Sequence, residues 1–462
     1  MLDWSKVGKK YSIEYLLEND PDVVAKSLEK RGLDPGIAYR GEALLRQIKS
    51  IRRSLDELRG VKNRVSKYFA VARDKDFIRD IARSVDGNIS GLEDLLRRLE
   101  GEYREVLNNI PNIVSSDVPV GPDDSFNKVL RYHGRPRVFE GDRELFIKSY
   151  GDIGFEAIGF KPVGHADWGE KSGLVDTLRA GKTSGSRFYY MYSDLVLLDL
   201  ALTMYALEYL MSRGYIPVEP PYMVRRRVME GAAFFEAFKE TLYSVCDEDL
   251  YLIATSEQSL AGLYMDEVLE RRELPIKLAG WSPCFRREAG AHGKDTKGIF
   301  RVHQFNKVEQ FIFSAPEESE SLHEELIRNS EELYKGLGIP YRVVVISSGE
   351  MNRLAVKQYD LEGWMPAQVR YRELVSASNC TDWQAYRLNI RYAEERGKEI
   401  KGYVHTLNCT AIASQRTITA IIENFQDEEG YVEIPKRLMK YLEAMGYKES
   451  FIKPIKLPGG KP

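Results

Sequence analysis

From Leu44 onward apolar residues fall at Leu44, Ile48, Ile51, Leu55, Leu58, Val65 and Phe69, with Lys62 filling one seam position. After a polar "ARDKD" break the spacing returns at Ile78, Ile81, Val85, Leu92, Leu95, Leu99 and Val106, with Asn88 and Glu102 in the gaps. Steps of four and three are heptad spacing, so the pattern predicts two helices with apolar seams that fold back antiparallel at the break. At about 1.5 Å per residue, the stretch from Leu44 to Phe69 makes an arm of roughly 40 Å. "NNIPNIVSSDVPVGPDDS" (108–125) then abolishes the period with Pro111, Pro119, Gly121 and Pro122, and reads as a linker. The predicted organisation is a helical arm over 1–110, a linker over 111–125 and a second domain over 126–462.

Past the linker the pattern is mixed. "DLVLLDLALTMYALEYLMSRG" (194–214) has the apolar content and length of a buried helix stopped at Gly214. Strand-like runs follow at "YIPVEPP", "LYLIAT", "VEQFIFS", "YRVVVIS" and "AQVRYREL", and helices alternate with them unevenly, as at 317–337 and 433–446. Hairpin-like neighbours and irregular spacing predict an α+β domain on an antiparallel sheet. Neither G-x-G-x-x-G nor G-x-x-x-x-G-K-[ST] is present, so a Rossmann or P-loop nucleotide site is unsupported.

Composition narrows this further. The chain has 462 residues and a formal net charge of -3, which gives no global attraction to nucleic acid. Any such binding must come from a local patch. The arm offers one, with Arg46, Lys49, Arg52, Arg53, Arg59, Arg64, Lys67, Arg79, Arg83, Arg97 and Arg98 on its outer faces. Solubility alone accounts for charged helix faces. Yet an arm too thin to hold a pocket is suited to touching something large, such as an RNA backbone. Cys246, Cys284, Cys380 and Cys409 form no C-x-x-C pair, which argues against a disulfide framework. The polar N-terminus does not read as a secretory signal, and no long run reads as a membrane span.

The candidate chemistry concentrates in "FRREAGAHGKDTKGIFRVHQFNKVEQF" (285–311). With strands on either side this is a long hairpin with a cationic, glycine-containing tip, and Arg286 and Arg301 stand on its arms. Guanidinium groups grip phosphate oxygens in a planar, bidentate way that lysine cannot match. Phe305 offers a flat face to a base, and Glu309 a carboxylate to an ammonium or hydroxyl. A charged hairpin kept in water is the alternative reading. Three further stretches shift the balance. "ATSEQSLAG" (254–262) sets Thr255 and Glu257 two apart, on one face of a strand. "YRELVSASNCTDWQ" (371–384) puts Glu373 near Ser376, hard oxygen donors suited to magnesium on a triphosphate. "HTLNCTAIASQRTITAIIENFQ" (405–426) runs from polar residues through Arg416 into an amphipathic helix.

Taken in this order, the stretches resemble the seryl-tRNA synthetases, a branch of the class II aminoacyl-tRNA synthetases. "GYIPVEPPYMV" is similar to the first class II motif, with Pro221 at the proline of the dimer interface. The hairpin is similar to the second motif and "LNCTAIASQRTITAIIENFQ" to the third. The resemblance implies a homodimer that activates L-serine with ATP and Mg2+, without zinc, and charges tRNA(Ser), and it leaves open whether tRNA(Sec) is a further acceptor. It implies serine contacts from Thr255, Ser256, Glu257, Arg286, Glu309, Asn408 and Thr410. For ATP it implies Arg286, Arg287, Glu288, Arg301, Val302, Phe305, Glu373, Leu374, Val375, Ser376 and Arg416, with Glu373 and Ser376 on magnesium. It further implies a catalytic role for Arg286 and Arg416 and a cytoplasmic setting, off any membrane. One departure stands out: Gln415 occupies a position where the third motif often has glycine. Rival readings are a synthetase-like RNA binder without activating ability, and threonine or proline specificity.

Overall fold

The protein is described by a computed structural model covering residues 12–69, 71–235, 239–288, 295 and 297–456. The described chain divides between Ile113 and Val114 into two compact units. The first holds α1 (Ile13–Asn19), α2 (Pro21–Lys30), α3 (Gly36–Phe69) and α4 (Lys75–Asn109). Ion pairs Arg52–Glu100, Arg59–Glu93 and Lys62–Asp86 join α3 to α4 in descending register, so the two helices are antiparallel. The "ARDKD" break supplies the cap of the second helix: the Asp74 carboxylate accepts the Phe77 N–H at 3.0 Å. At 34 residues, α3 is longer than the heptads alone mark, about 51 Å by helical rise. Leu44, Leu45, Ile48 and Leu55 of α3 are buried, as are Val85, Leu99, Tyr103 and Val106 of α4. Leu16, Leu17, Val24 and Leu28 of α1 and α2 are also buried in this unit.

The stretch expected as a linker is not one. Val114 and Val118 are buried with Val344, Ile346 and Met351, and the Ser115 N–H donates to the Val356 carbonyl. Pro111 follows the helix end, while Val114 and Val118 bury in the second unit, so 114–125 belongs to that unit.

The second unit is built on an eight-stranded sheet. In chain order its strands are β1 (Lys128–His133), β2 (Ile216–Val218), β3 (Ile276–Phe285), β4 (Gln304–Ser314), β5 (Tyr341–Val345), β6 (Lys357–Met365), β7 (Arg370–Thr381) and β8 (His405–Ala413). They lie in the order β1-β5-β6-β7-β8-β4-β3-β2, antiparallel throughout except for the β2–β3 pair. The α+β, antiparallel-sheet expectation holds.

Period-2 alternation decides which side chains of β4 meet which layer. Val308 and Ile312 point to the main core, where α5 (Asp194–Ser212), α7 (Ser319–Leu337) and α8 (Ser414–Asn424) bury Leu198, Leu202, Leu326, Leu333, Ile418 and Ile421. Phe311 and Phe313 point to the opposite layer, beside Leu260 of α6 (Ser256–Ala261). α5 is long and apolar enough to cross a membrane by length and composition, but half of it is buried inside this fold.

Candidate active site

The strand alternation that sends Phe311 one way also sends Lys307 and Glu309 to the α6 side of the sheet. Register then lines up Gly280 of β3, Glu309 of β4 and Thr410 of β8 across three strands. Lys307 Nζ lies 2.5 Å from Glu309 Oε2, with the two side chains only 7% and 2% exposed. Thr410 Oγ1 donates to the same carboxylate at 3.4 Å. Burial pushes the Glu309 carboxyl upward, and the Lys307 ammonium pulls it back down.

Thr255 and Glu257 do not share a strand face. The strand around "LYLIAT" ends at Leu252, and Thr255 is the N-cap of α6, its hydroxyl accepting the Glu257 N–H at 3.3 Å. Gln258 reaches back to accept the Ala254 N–H at 2.8 Å. Thr-x-x-Gln is the spacing of a capping box, a helix-start signal that the preceding apolar, strand-like run masks. The helix can seat here because residue 280 is glycine: a Cβ would come within 2.7 Å of Leu260 and 2.9 Å of the Ser256 hydroxyl. Glu257 consequently faces the Glu309 cluster. Its Oε1 accepts from Gln384 Nε2 at 2.8 Å and Asn408 Nδ2 at 3.0 Å. Burial, and next the Glu309 carboxylate, push the Glu257 carboxyl up to about 7. Ser256 is fully buried with its hydroxyl on the Gly280 carbonyl, so that side chain does not join the cluster.

The hairpin forms as the flanking strands demand, pairing from Ile276↔Phe313 to Phe285↔Gln304. Arg286 follows directly, its N–H on the His303 carbonyl and its guanidinium 5.0 Å over the Phe305 ring. Residues 289–294 and 296, most of the expected cationic tip, lie outside the described residues. One recess is lined by Arg286, Glu288, Phe300, Arg301, Val302, Phe305, Gln415 and Arg416. Arg301 pairs with Glu288 at 3.5 Å, and its Nε is buried with no hydrogen-bond partner among the described residues. An unpaired buried guanidinium donor suits an anionic ligand. Arg416, in the first turn of α8, meets Glu373 at 2.9 Å and lies 5.1 Å over Phe300. The Arg416 guanidinium holds the Glu373 carboxyl below its usual range.

On β7, Ser376 Oγ accepts from Gln358 Nε2 at 3.0 Å and pairs in register with the buried Asp360. Leu374 and Val375 are core residues, so only their backbone could meet a ligand, and Arg287 is exposed with its N–H on the Thr241 carbonyl. Pro221 is exposed, and its carbonyl accepts from Ser259 Oγ at 2.6 Å. The sequence reading passed over Lys307, Phe300, Asp360 and Gln384. Only Lys307 carried a usable signal, two residues from Glu309 in a strand and therefore on its face.

A sheet of this order, with an arginine recess beside a buried carboxylate cluster and a helix carrying a second arginine, defines a class II aminoacyl-tRNA synthetase core. The family model for that core domain (G, H, P, S and T) matches residues 241–425, and the model for the seryl-tRNA synthetase N-terminal domain matches residues 13–114. The chain is 52% identical to the serine--tRNA ligase of Archaeoglobus fulgidus over 96% of its length and 99% of that protein's. It is 51% identical to that of Hyperthermus butylicus over 93% and 95%. Among solved structures, the seryl-tRNA synthetase of Pyrococcus horikoshii in complex with ATP superposes with a TM-score of 0.90 at 45% identity, covering 96% of this chain and all of that one. The chain belongs to the seryl-tRNA synthetases.

Proposed function

We propose that ATP occupies the arginine recess and serine the adjoining carboxylate cluster, and that the chain joins them as seryl-adenylate before passing the seryl group to tRNA(Ser). The observation that carries this reading is the conjunction, on one hairpin, of Arg286 beside Phe305 with the buried Glu309. Glu257 and Glu309 receive the serine ammonium, while Thr410 and Asn408 meet its hydroxyl. A pocket that bonds a hydroxyl rejects alanine, because its buried polar groups are left unpaired. Phe305 and Arg416 supply stacking and cation–π faces to the adenine. Arg286 and Arg301 grip the phosphates.

No protein nucleophile is required. The serine carboxylate attacks the α-phosphorus and pyrophosphate leaves; the terminal ribose hydroxyl of tRNA then attacks the adenylate carbonyl and AMP leaves. The residues position the reactants and neutralise charge that develops at phosphorus. Glu373 and Ser376 offer hard oxygens that fit magnesium. Among the described residues no group of three or more His, Cys, Asp or Glu makes a cage for an ion, so phosphate and water would complete its shell, as magnesium favours. When bound, the ion offsets phosphate charge. Glu257, Glu309, Lys307 and Thr410 present carboxylates, an ammonium and a hydroxyl, and burial pushes the Cys380 thiol beside Asn408 well up, away from the thiolate that zinc favours, which supports a zinc-free reading.

The assembly is a homodimer, supported by the exposed Val196, Leu200, Met204 and Met211 along α5, with Ile216 and Pro221 nearby in sequence. The arm grips tRNA by backbone and shape, which extends to tRNA(Sec) if its variable arm is equally long, and the enzyme works in the cytoplasm with its tRNA. Pyrophosphate exchange tests the core of this. Arg286→Ala lowers the serine-dependent rate by at least about a hundredfold, the scale of one lost preorganised charge contact. A near-normal rate would refute the assignment.

A further inference from the structure

β8 and β4 pair as far as Ala413 opposite Lys307. At Ser414 the β8 chain turns into α8, so β4, still paired with β3 on its other edge, loses its β8 neighbour just where Asn306 and Phe305 follow. The gap is filled by side chains. Gln415 Oε1 accepts the Asn306 backbone N–H at 2.7 Å, the kind of bond a strand carbonyl would make. Gln415 Nε2 donates to Asp199 Oδ2 at 3.3 Å, and Asn306 Nδ2 donates to the same oxygen at 2.7 Å. Asp199 and Gln415 are 6% and 1% exposed. Asp199 comes from α5, a mostly apolar helix, where a buried carboxylate has a cost that the Asn306 and Gln415 amides and the Ser414 hydroxyl offset only in part, since burial still pushes the carboxyl upward.

We infer that Asp199 and Gln415 are positioning residues for the nucleotide, extending the sheet by a side-chain bridge that fixes Phe305 and Arg416 at one separation. Asn306 directly follows Phe305, and Gln415 directly precedes Arg416. One closed triangle of hydrogen bonds therefore ties together the backbones that carry both faces offered to the base. A glycine at position 415 has no atoms for either bond. The inference rests on the reading that Phe305 and Arg416 flank the adenine.

The test is pyrophosphate exchange with ATP and serine varied separately. Gln415→Met keeps the volume and removes both bonds. It raises KM for ATP about tenfold, the worth of one buried bond with its partner left unpaired, and leaves KM for serine within twofold. Asp199→Ala does the same, and Asp199→Asn, which retains an oxygen for both donors, recovers most of the loss. The double variant Asp199→Ala/Gln415→Met is little worse than either single one, because the residues act as a unit. An unchanged KM for ATP in Gln415→Met overturns the inference. So does an equal rise in both KM values accompanied by a lower Tm, the mark of general loosening. Phe305→Ala and Arg416→Ala separate the two levels. If these also leave KM for ATP unchanged, the adenine reading itself fails; if they raise it while Gln415→Met does not, only the bridge fails.

Discussion

In the helical unit Arg52, Arg59 and Lys62 meet Glu100, Glu93 and Asp86 with every side chain more than a third exposed. In the second unit Lys307 meets Glu309 almost out of reach of water. On paper these are the same interaction, and physically they are not. Exposed pairs contribute about 0–1 kcal/mol because water and salt screen them. A buried pair contributes little net, but breaking it strands a charge at a cost of about 3–5 kcal/mol. The arm can therefore vary its charges without unfolding, which leaves them available to a partner, whereas the cluster holds its charges in fixed geometry.

The sharpest way to break that contrast is to shorten the arm. Removing residues 60–92 and closing the hairpin with a short glycine turn leaves the buried Leu55 and Leu99 in place. Charging of tRNA should fall at least about a hundredfold through lost phosphate contacts, while serine-dependent pyrophosphate exchange changes less than twofold. Retained charging would show that Arg64, Lys67, Arg79 and Arg83, which the cut removes, serve only solubility.

Lys307→Met probes the other side. It leaves Glu309 buried without its ammonium, and urea unfolding should show a loss of about 3–5 kcal/mol. Lys307→Met/Glu309→Leu should recover much of that stability while remaining inactive in exchange. If the single variant unfolds like the parent, the pair is not the buried, costly kind.

A smaller effect comes from pH. Burial, and next the Glu309 carboxylate, push the folded Glu257 carboxyl up to about 7 from an ordinary 4.5. Between those values the folded state binds more protons than the unfolded state, so stability falls as pH rises through this window. Glu309, raised by the same burial, adds to the slope in the same direction. Glu257→Gln should therefore raise Tm relative to the parent at pH 8 and do little at pH 4. Serine brings an ammonium that favours the ionised carboxylate, so its binding at pH 7 should release protons. Calorimetry in buffers of different ionisation enthalpy reads this directly, and proton uptake on binding would place the ammonium elsewhere.

Local pattern carried a large part of this molecule. The heptads of α3 and α4, the long hairpin and the stretches that the fold gathers around the arginine recess and the carboxylate cluster were legible because each depends on residues close in sequence. Lys307 and Glu309 were also legible in principle, being two apart in a strand, but a lysine in a charged hairpin looks like a solvent contact until the α6 layer covers it. The start of α6 was hidden by conflict: Thr255-x-x-Gln258 signals a helix, while the run before it signals a strand. Val114 and Val118 looked like linker because their partners, Val344 and Ile346, lie more than two hundred positions away in the chain. Asp199 is the limiting case. Nothing near it in sequence explains an acid on an apolar helix, since its partners Asn306 and Gln415 arrive from two other elements.

The smallest effect concerns a single arm cation. Arg59 reaches Glu93 at 3.0 Å and approaches Asp56 at 3.7 Å, yet more than half of its side chain is exposed. Arg59→Ala should change unfolding free energy by less than about 1 kcal/mol. If the arm's cations face RNA phosphate, the same change weakens tRNA binding and lowers the slope of log K against log salt by about one, since one fewer counterion is released. Arg59 need not leave its carboxylates for this to hold, because exposed guanidinium donors can serve a carboxylate and a phosphate together. An unaltered salt slope with unaltered stability would mean that Arg59 is only a solvated face, and would move the search for the RNA contact to Arg53, Arg64 or Arg98.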